Sequence, residues 1–396
     1  MAILSVNAGS SSLKFSIHRF HDQQVDSAWV SGCLQGLEPG GTPSLVWTQS
    51  GQSHDESLCV EAGDGFASAL QRLRDWLAEL PEMPPLRAIA HRVVHGGADY
   101  AQATQITPEV LEQLSRLNSL APLHQPHNLA GVRAMAQAFP HLPQIACFDT
   151  AFHTSVPELH QRFGLPRALH DQGVRRYGFH GLSYQYILQC LQAHSSRAGQ
   201  RLLLAHLGNG ASLCAVHEGR SLATTMGFSA LDGLMMGTRS GTLDPGVLLY
   251  LLEQGWDHAR LQRLLYKESG LLGVSGLSAD VRRLREAGTP TAQEALALFT
   301  HRVIREAGAM MACLQGLDVL AFGGGIGEHD AVLRAEVCQA LGWAGVRIQP
   351  ERNSAARGDQ VMPIHAEDSA IEVWVVPTDE GRVAAQQALA LLDAAR

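Results

Sequence analysis

The stretch Leu202–Val216, which reads LLLAHLGNGASLCAV, consists of two apolar runs joined by a glycine turn. The first run ends at His206, the turn is Gly208–Gly210, and a second, alternating run follows. An Asn-Gly step between two hydrophobic runs is typical of a tight turn between paired strands. Glycines at such a turn let the backbone approach another backbone or a ligand closely. The stretch therefore predicts a strand–turn–strand unit with a turn suited to ligand contact.

The first residues of the chain repeat this pattern. Ile3–Val6 is apolar, Asn7–Gly9 is a turn of small residues, and Leu13–Ile17 resumes as a strand that contains Lys14. Two such units, about half a chain apart, indicate two related halves. If the two turns face each other, they form a cleft that would hold a polyanion such as a nucleoside triphosphate.

Length, composition and charge restrict the class of protein. The 396 residues suffice for two domains, and 45% hydrophobic with 17% charged residues indicate a large core. The net charge of -8 argues against nucleic-acid or membrane-surface partners. The 7 cysteines are dispersed without a C-x-x-C pair, as in proteins of a reducing compartment. No apolar run approaches the ~18 residues of a membrane span, and no signal peptide is evident, so we expect a cytoplasmic protein.

Strand-like segments alternate with helix-like segments, which predicts an α/β fold with parallel or mixed sheets flanked by helices. The predicted strands are 3–6, 13–18, 25–34, 45–49, 88–94, 144–148, 202–206, 211–216, 317–322 and 371–376. Helices with both ends predicted are 66–80, 108–117, 127–139, 181–193 and 292–315. Four more are predicted at one end only: one begins at 245, one is capped by Ser278, one follows the glycine turn 323–328 and ends at 341, and one begins at 380. A glycine-rich loop at 224–244 is too apolar for a disordered linker and predicts a functional site.

Polar residues at strand ends are the candidate ligand contacts, because α/β sheets bind ligands at the carboxyl ends of their strands. Asn7, His95, Asp149, His206 and Glu380 all lie at or near such ends. A carboxylate directly after an apolar strand, as at Asp149, needs a cation or a metal unless it caps the following turn. Glu380 lies in the first turn of a helix, where the helix dipole alone is a sufficient explanation.

Glycines and arginines provide further candidates. The run Gly323–Gly327 follows a strand and precedes a helix, which suits a phosphate site or simply a tight turn. It matches neither a dinucleotide fingerprint nor a P-loop. Arg92 in an apolar strand and Arg239 in the glycine-rich loop each need an anion, either a ligand or a structural carboxylate. His180 lies in the loop RRYGFHG and is either a ligand contact or a hydrogen-bonded structural histidine.

Together these segments resemble the acetate kinase family. The matching stretches are NAGSSSLKF (7–15), HRVVHGG (91–97), APLH (121–124), FDTAFH (148–153), RRYGFHG (175–181), HLGNGAS (206–212), GLMMGTRSG (233–241), GVSG (273–276) and GIGE (325–328). They follow the family's order over nearly the whole chain. The resemblance implies a two-domain actin-like fold, as in acetate and sugar kinases, Hsp70 and actin. We expect an N-terminal actin-like domain at 1–150 plus 383–396, and a C-terminal, nucleotide-binding one at 151–382.

The resemblance also implies a reaction, in which the γ-phosphoryl group of ATP passes reversibly and in line to acetate, giving acetyl phosphate and ADP. It implies a homodimer, and Mg2+ or alternatively Mn2+ as the metal. By position, Asn7 and Glu380 would hold the metal. Asp149, His180 and Arg239 would be catalytic. The substrate-binding residues would be Arg92, Val94, Leu123 and Phe179. The nucleotide-binding residues would be Lys14, His206, Leu207, Gly208, Asn209, Gly210, Asp280, Val281, Arg282, Gly325, Ile326, Gly327, Glu328 and His329.

Some positions depart from the family's usual sequence. Leu182 and Tyr184 replace a usual Thr and His, and His329 replaces a usual Asn on the adenine side. Ala230 replaces a usual Pro near the acyl pocket, where a smaller residue would admit propionate. One methylene group in an apolar pocket changes the relative transition-state binding of two substrates by only ~1–3 kcal/mol, so acetate and propionate are expected to overlap. A propionate or butyrate kinase and a non-enzymatic actin-like nucleotide switch are the alternatives, although a switch needs no carboxylate-binding arginine.

Overall fold

The computed structural model describes residues 1–9, 11–37, 41–58 and 65–394, without the side chains of 65–68. The chain divides into two compact units. The first comprises Met1–Ala151 together with the segment from Asp379 onward, and the second comprises Phe152–Thr378. The residue Glu380 is thus grouped with the first unit.

The first unit is built on an eight-stranded mixed sheet in the order β5-β4-β3-β2-β1-β6-β8-β7. Its elements are β1 Ala2–Ala8, β2 Ser12–His21, β3 Gln24–Gln35, β4 Ser44–Gln49, β5 Gln52–Ser57, α1 Gly65–Glu79, β6 Leu86–Val93, β7 Thr104–Gln105, α2 Pro108–Ser115, α3 Gln125–Ala138, β8 Gln144–Phe148 and α15 Glu380–Ala394. Strands β1, β6 and β8 are parallel neighbours, so their carboxyl ends meet at one edge of the sheet. Helices α3 and α15 pack against β1 and β6.

The second unit is built on a six-stranded sheet in the order β11-β10-β9-β12-β14-β13. Its strands are β9 Arg201–Leu207, β10 Ala211–His217, β11 Arg220–Thr224, β12 Val319–Gly323, β13 Met362–Pro363 and β14 Glu372–Val375. Its helices are α4 Glu158–Gln161, α5 Arg167–Asp171, α6 Gly181–His194, α7 Pro245–Glu253, α8 His258–Lys267, α9 Gly270–Ser275, α10 Val281–Ala287, α11 Pro290–Leu314, α12 Gly324–His329, α13 Ala331–Ala340 and α14 Pro350–Ala355. Short 3-10 segments occur at Ala151–His153 and Gly342–Ala344.

Both predicted hairpins are confirmed, and in each the turn closes between two antiparallel strands. In the first, Asn7 pairs with Lys14, and in the second, His206 pairs with Ser212. The apolar faces of β1 and β2 pack on α1, with Phe15 against Trp76 at a 5.5 Å ring separation. The α/β class is confirmed, because both sheets are mixed and carry helices.

Two local predictions are wrong. Ser278 does not cap a helix, because its hydroxyl accepts the Asp280 backbone N–H and Asp280 itself is the N-cap of α10, accepting the Arg282 N–H at 2.8 Å. Serine and aspartate are both common N-cap residues, and here Asp280, two residues after Ser278, is the one that caps the helix. The glycine turn after β12 is largely the short helix α12, and Asp330 then caps α13. The elements that were not predicted are strands β5, β7, β11 and β13 and helices α4, α5, α8, α9 and α14.

Within the part of the chain that the structure describes, none of the helices has the length and apolarity that a membrane crossing requires.

Candidate active site

The first unit gathers four of the predicted site residues around one guanidinium, and we call this group the Arg92 cluster. Arg92 donates from Nε to Oδ1 of Asp149 at 3.0 Å and from Nη2 to Oδ2 at 2.6 Å, a bidentate pair. The Glu380 Oε2 lies 3.3 Å from the Arg92 Nε, and the Asn7 Oδ1 lies 3.5 Å from Nη1. Asp149 is 1% exposed, whereas the Arg92 side chain keeps 19% of its surface accessible. The Arg92 side chain is therefore not fully enclosed, whereas Asp149 is.

The sheet explains why these residues meet. Asn7 is near the end of β1, Arg92 near the end of β6, and Asp149 directly follows β8, and these strands are adjacent and parallel. The Asp149 backbone N–H donates to the Val93 carbonyl at 3.1 Å, which extends the ladder by one residue. Lys14 is exposed on β2 opposite Asn7. Residues paired across antiparallel strands share one face of the sheet, so Lys14 lies on the Asn7 face.

Charge stabilises this arrangement. Burial alone would lower the pKa of Arg92, but the carboxylates of Asp149 and Glu380 more than offset burial, and the pKa of Arg92 is raised. The guanidinium therefore remains charged at any working pH.

The oxygen atoms of the Arg92 cluster suit a divalent cation. Asn7 supplies an amide oxygen and Glu380 a carboxylate, which are the hard ligands that Mg2+ prefers. Among the described residues there is no group of three or more His, Cys, Asp or Glu side chains arranged to hold a metal by themselves. That ligand supply fits Mg2+, which is typically held by one or two protein oxygens together with substrate phosphates and water.

Two buried amides of α3 brace this edge and were not predicted from the sequence. Asn128 accepts the Val94 N–H at 3.0 Å and donates to the Ala8 carbonyl at 2.7 Å. Gln125 accepts the His95 N–H and donates back to the His95 carbonyl. The sequence signal for them is weak: the two amides are three positions apart on one helix, with Pro126 in its first turn, and single amides usually face solvent.

The second unit brings His180 and Arg239 to the glycine turn of the opening stretch. A Cβ atom on Gly210 would lie 3.2 Å from the His180 Nε2 and 3.8 Å from the Arg239 Nη1. The His180 ring stacks on the His206 ring at 4.2 Å, and Arg239 donates to the Ala230 carbonyl at 3.1 Å. The His180 imidazole and the Arg239 guanidinium therefore face the space that glycine leaves open at this turn.

The glycine-rich loop packs on the same turn. The Gly237 N–H donates to the Asn209 carbonyl at 3.0 Å, and a Cβ at Gly237 would lie 1.9 Å from the Asn209 Oδ1. A side chain at Gly237 is therefore excluded by contact with the turn. This close approach is the physical reason for the glycine, and it agrees with a functional loop at 224–244.

A cavity of about 790 Å³ adjoins this turn. Its lining includes Gly208, Asn209, Asp280, Val281, Arg282, Arg285, Gly325, Ile326, His329 and Asp330. Side-chain hydrogen bonding from Arg282 lowers the pKa of Asp280 to about 2, and Arg285 pairs with Asp330 at 2.7 Å. Gly324 has φ +73°, and a Cβ there would lie 2.8 Å from the Leu207 carbonyl oxygen. Only glycine is therefore compatible with the backbone at the first residue of α12.

Six of the predicted nucleotide-binding residues are not part of this cavity's lining: Lys14, His206, Leu207, Gly210, Gly327 and Glu328. Glu328 is buried, and its Oε1 accepts both the backbone N–H and the hydroxyl of Thr378 at 2.9 Å. Lys14 belongs to the first unit. Of the predicted acyl wall, Val94 is buried and Leu123 half-buried in the first unit, and Phe179 is buried in the second.

The comparisons with known proteins agree with the resemblance seen in the sequence. The model of the acetokinase family matches residues 2–386. Acetate kinase of Rhodopseudomonas palustris is 46% identical over 100% of this chain and 99% of its own length. Acetate kinase of Methylocella silvestris is 42% identical over 99% and 98%.

Solved structures give the same result. A propionate kinase from Francisella tularensis has a TM-score of 0.88 and 34% identity, with 98% of each chain covered. Acetate kinase of Porphyromonas gingivalis has a TM-score of 0.87 and 34% identity, with 99% of each chain covered.

Proposed function

Because this chain belongs to the acetokinase family and is a carboxylate kinase, we propose that it transfers the γ-phosphoryl group of ATP reversibly to acetate, giving acetyl phosphate and ADP. The observation that carries the choice of a carboxylate is Arg92, a half-buried guanidinium that Asp149 holds along its Nε–Nη2 edge while part of the side chain stays accessible. Its remaining N–H groups suit contact with a further carboxylate, because arginine is the preferred side chain for carboxylate recognition. A nucleotide switch would not need such a residue at the strand edge.

In the proposed reaction the acetate carboxylate binds to Arg92 and attacks the γ-phosphorus in line. A carboxylate is already a nucleophile at neutral pH, so no general base is required, and the role of Asp149 is to fix Arg92 in place. Asn7 and Glu380 would hold Mg2+ or Mn2+, which neutralises phosphate charge when bound. Val94, Leu123 and Phe179 are proposed as the apolar wall around the methyl group.

The second unit would bind the nucleotide. The cavity beside Gly325, Ile326 and His329 suits an adenosine, and the turn Gly208–Gly210 suits its phosphates, because backbone N–H groups of glycine turns contact phosphate closely. Phosphoryl transfer spreads negative charge over the equatorial oxygens, and hydrogen-bond donors or cationic groups that face those oxygens stabilise it. His180 and Arg239 are the proposed groups, with His206 and Lys14 as further phosphate contacts.

We propose that the two compact units are the two domains of an actin-like fold, and that the protein is a cytoplasmic homodimer. Helix α7, PGVLLYLLE, supports self-association because it exposes a run of large apolar side chains. Leu249 is 62% exposed, Tyr250 58% and Leu252 48%. A surface of this kind is typical of an interaction site rather than of a solvated helix, and a second copy of the chain is the partner that the family resemblance implies.

The experiment is a hydroxamate assay for acyl phosphate with purified protein, Mg-ATP, and acetate, propionate or butyrate in turn. We expect acetate or propionate to turn over rapidly, and Arg239→Ala and Arg92→Ala to abolish turnover. Arg116→Ala, which removes an exposed arginine paired only with Glu112, is the matched control. If none of the three acids gives acyl phosphate while ATP still binds, the proposed function is wrong.

The ratio of acetate to propionate turnover tests the acyl pocket. Ala230 is buried and its carbonyl accepts from Arg239, so it lies beside a proposed catalytic group. We expect acetate and propionate to differ by no more than about 200-fold in kcat/KM, the limit for one methylene. Ala230→Pro should lower the propionate kcat/KM relative to that of acetate. An unchanged ratio would remove Ala230 from the pocket.

A further inference from the structure

His180 is linked through one serine to a buried tyrosine. The His180 Nδ1 lies 2.8 Å from the Ser212 Oγ, and the same oxygen lies 2.5 Å from the Tyr184 hydroxyl. Ser212 comes from β10, whereas His180 precedes α6 and Tyr184 belongs to its first turn. Ser212 and Tyr184 are both 0% exposed, and His180 is 9% exposed. The three polar groups therefore form a chain without access for bulk water.

The number of donor hydrogens decides the direction of this chain. A phenol and a serine hydroxyl each carry one hydrogen, and a neutral imidazole carries one on either nitrogen. Burial raises the pKa of Tyr184 well above its ordinary value, against the smaller opposing effects of Ser212 and the His206 backbone. The phenol therefore keeps its hydrogen, and Ser212 is its hydrogen-bonding side-chain partner. Tyr184 donates to the Ser212 Oγ.

The Ser212 hydrogen is then directed to the imidazole. If Ser212 donates to the His180 Nδ1, every hydrogen in the chain has an acceptor. If Nδ1 carried a hydrogen instead, Nδ1 and Tyr184 would both donate to the two lone pairs of the Ser212 Oγ, and the serine hydrogen would have no acceptor in the chain. An unsatisfied buried donor is unfavourable by ~1–3 kcal/mol. The first arrangement is also a continuous chain in which each bond polarises the next.

We infer that Tyr184 and Ser212 are positioning residues that hold His180 in the tautomer with its hydrogen on Nε2. This inference rests on the proposed function, because it assigns a direction to a histidine proposed to contact the transferring phosphoryl group. The Nε2 is the nitrogen that faces Gly210, 3.2 Å from the place of a Cβ there. A neutral His180 in this tautomer donates its Nε2 hydrogen toward the phosphate turn. The other tautomer would present a lone pair to anionic oxygens.

The backbone supports the same orientation. His180 is the N-cap of α6 with φ 60° and ψ 24°, a left-handed conformation that is rare for a residue other than glycine. Persistent outliers of this kind are typical of functional positions where surrounding contacts fix the side chain. The stack on His206, whose Nδ1 lies 2.7 Å from the Ser183 Oγ, restricts the His180 ring plane further. The ring can therefore neither flip nor tilt without losing several contacts.

The test combines kinetics with the nitrogen spectrum of the histidines. In the wild-type protein labelled with 15N-histidine, the His180 resonances, assigned by their loss in His180→Asn, should show hydrogen on Nε2 and a lone pair on Nδ1. Ser212→Ala should shift this pattern toward the other tautomer and lower kcat by about 10²-fold, the usual effect of losing one oriented donor. The KM values for ATP and acetate should stay within about twofold. Tyr184→Phe should give a smaller loss in kcat, because Ser212 can still donate its hydrogen to the His180 Nδ1 but no longer accepts the hydrogen bond from Tyr184 that orients its hydroxyl.

The matched control is Ser221→Ala. Ser221 is also buried and its Oγ lies 2.8 Å from the Nδ1 of a buried histidine, His153, but the His153 Nε2 is bonded to the Phe179 carbonyl. This variant should lower the melting temperature as Ser212→Ala does, with little change in kcat. Hydrogen on the His180 Nδ1 in the wild type, or wild-type kcat in folded Ser212→Ala, would overturn the inference. If the wild type forms no acyl phosphate, the proposed function fails, while the spectrum still decides the tautomer.

Discussion

Arg334 is a fully buried arginine whose guanidinium is hydrogen-bonded to neutral amide and carbonyl oxygens, and its replacement gives a quantitative test of how the wall of the proposed nucleotide cavity is held. Its five N–H donors are all used. Nε donates to the Asn353 side chain, Nη1 to the carbonyls of Gly327 and Glu328, and Nη2 to those of Asn353 and Ala356, at 2.8–3.0 Å. Arg334 thus ties α12, which lines the proposed nucleotide cavity, to α14.

The size of the effect follows from this count. Arg334→Met keeps an apolar stem of similar length but leaves five buried acceptors without their donor, worth about 5 kcal/mol at ~1 kcal/mol each. Burial lowers the pKa of Arg334, so the guanidinium itself is held at a desolvation penalty that methionine relieves in part. We expect a net loss of about 3 kcal/mol in the free energy of unfolding.

The functional consequence is confined to the nucleotide. Released from Arg334, the carbonyls of Gly327 and Glu328 would let α12 move, and with it Ile326 and His329. We expect the KM for ATP to rise about 10-fold, equivalent to ~1.4 kcal/mol of binding, with the KM for acetate unchanged. Arg334→Lys should behave similarly, because an ammonium has three donors and cannot span five acceptors.

The assays are urea denaturation followed by circular dichroism and steady-state kinetics with ATP and acetate varied separately. Arg347→Met is the matched control, because Arg347 is 65% exposed and pairs only with Asp368. An exposed pair of this kind contributes no more than ~1 kcal/mol. If Arg334→Met is as stable as Arg347→Met, or if the KM values for ATP and acetate rise together, the reasoning about α12 is refuted.

Three further outcomes are expected. Asp149→Asn keeps the shape of the pair with Arg92 but removes its charge, so kcat should fall at least ~10²-fold while ATP binding measured by calorimetry persists; wild-type kcat would contradict this. Leu249→Glu should convert the proposed homodimer to a monomer in light scattering, whereas Leu159→Glu, at a leucine 79% exposed outside α7, should not. Burial lowers the pKa of His91 to about 4, so His91 is neutral when folded and protonated when unfolded between pH 6.5 and 4. The contribution of His91 to the free energy of unfolding should therefore be fully present above about pH 6.5 and decrease toward pH 4 by ~1.4 kcal/mol per pH unit. His91→Gln should reduce this slope in the pH dependence of stability.

The elements that the sequence predicted are those with a local signal. The hairpins were predicted by glycine turns between apolar runs, and the predicted helix from 108 is α2, which Thr107 caps and Pro108 begins. Strand β5 carries only polar residues, QSHDES, and its pairing with β4 leaves no periodic apolar pattern to detect. Helices α8 and α9 were missed although local signals exist: Gly255 follows α7, the Asp257 side chain caps α8 by accepting the Arg260 N–H, and α9 begins at Gly270.

The site residues can also be divided into those with a local sequence signal and those without one. Arg92, Asp149 and Asn7 were predictable because each ends an apolar strand, and parallel strands bring their ends together. The contact of Tyr184 with Ser212 joins positions 28 residues apart and depends on the packing of α6 against β9, which no local pattern reports. Arg334 lies in the helix AVLRAEVCQA, where an arginine between apolar residues ordinarily faces solvent. Arg334 is buried because α14 packs over it, which the sequence of α13 does not indicate.

The half-buried guanidinium of Arg92 and the fully buried one of Arg334 differ in a way that bears on substrate binding. Arg334 meets only neutral oxygens and has no donor left, so it holds structure. Arg92 meets two carboxylates, so with Asp149 and Glu380 ionised the Arg92 cluster carries a net charge of -1 before any substrate arrives. An acetate ion entering this cluster would raise the negative charge to -2 in a partly desolvated place, which is unfavourable unless another cation is present. The excess of carboxylate over guanidinium is therefore the physical argument for a divalent metal at Asn7 and Glu380, and for Arg92 alone being too weak to hold the substrate.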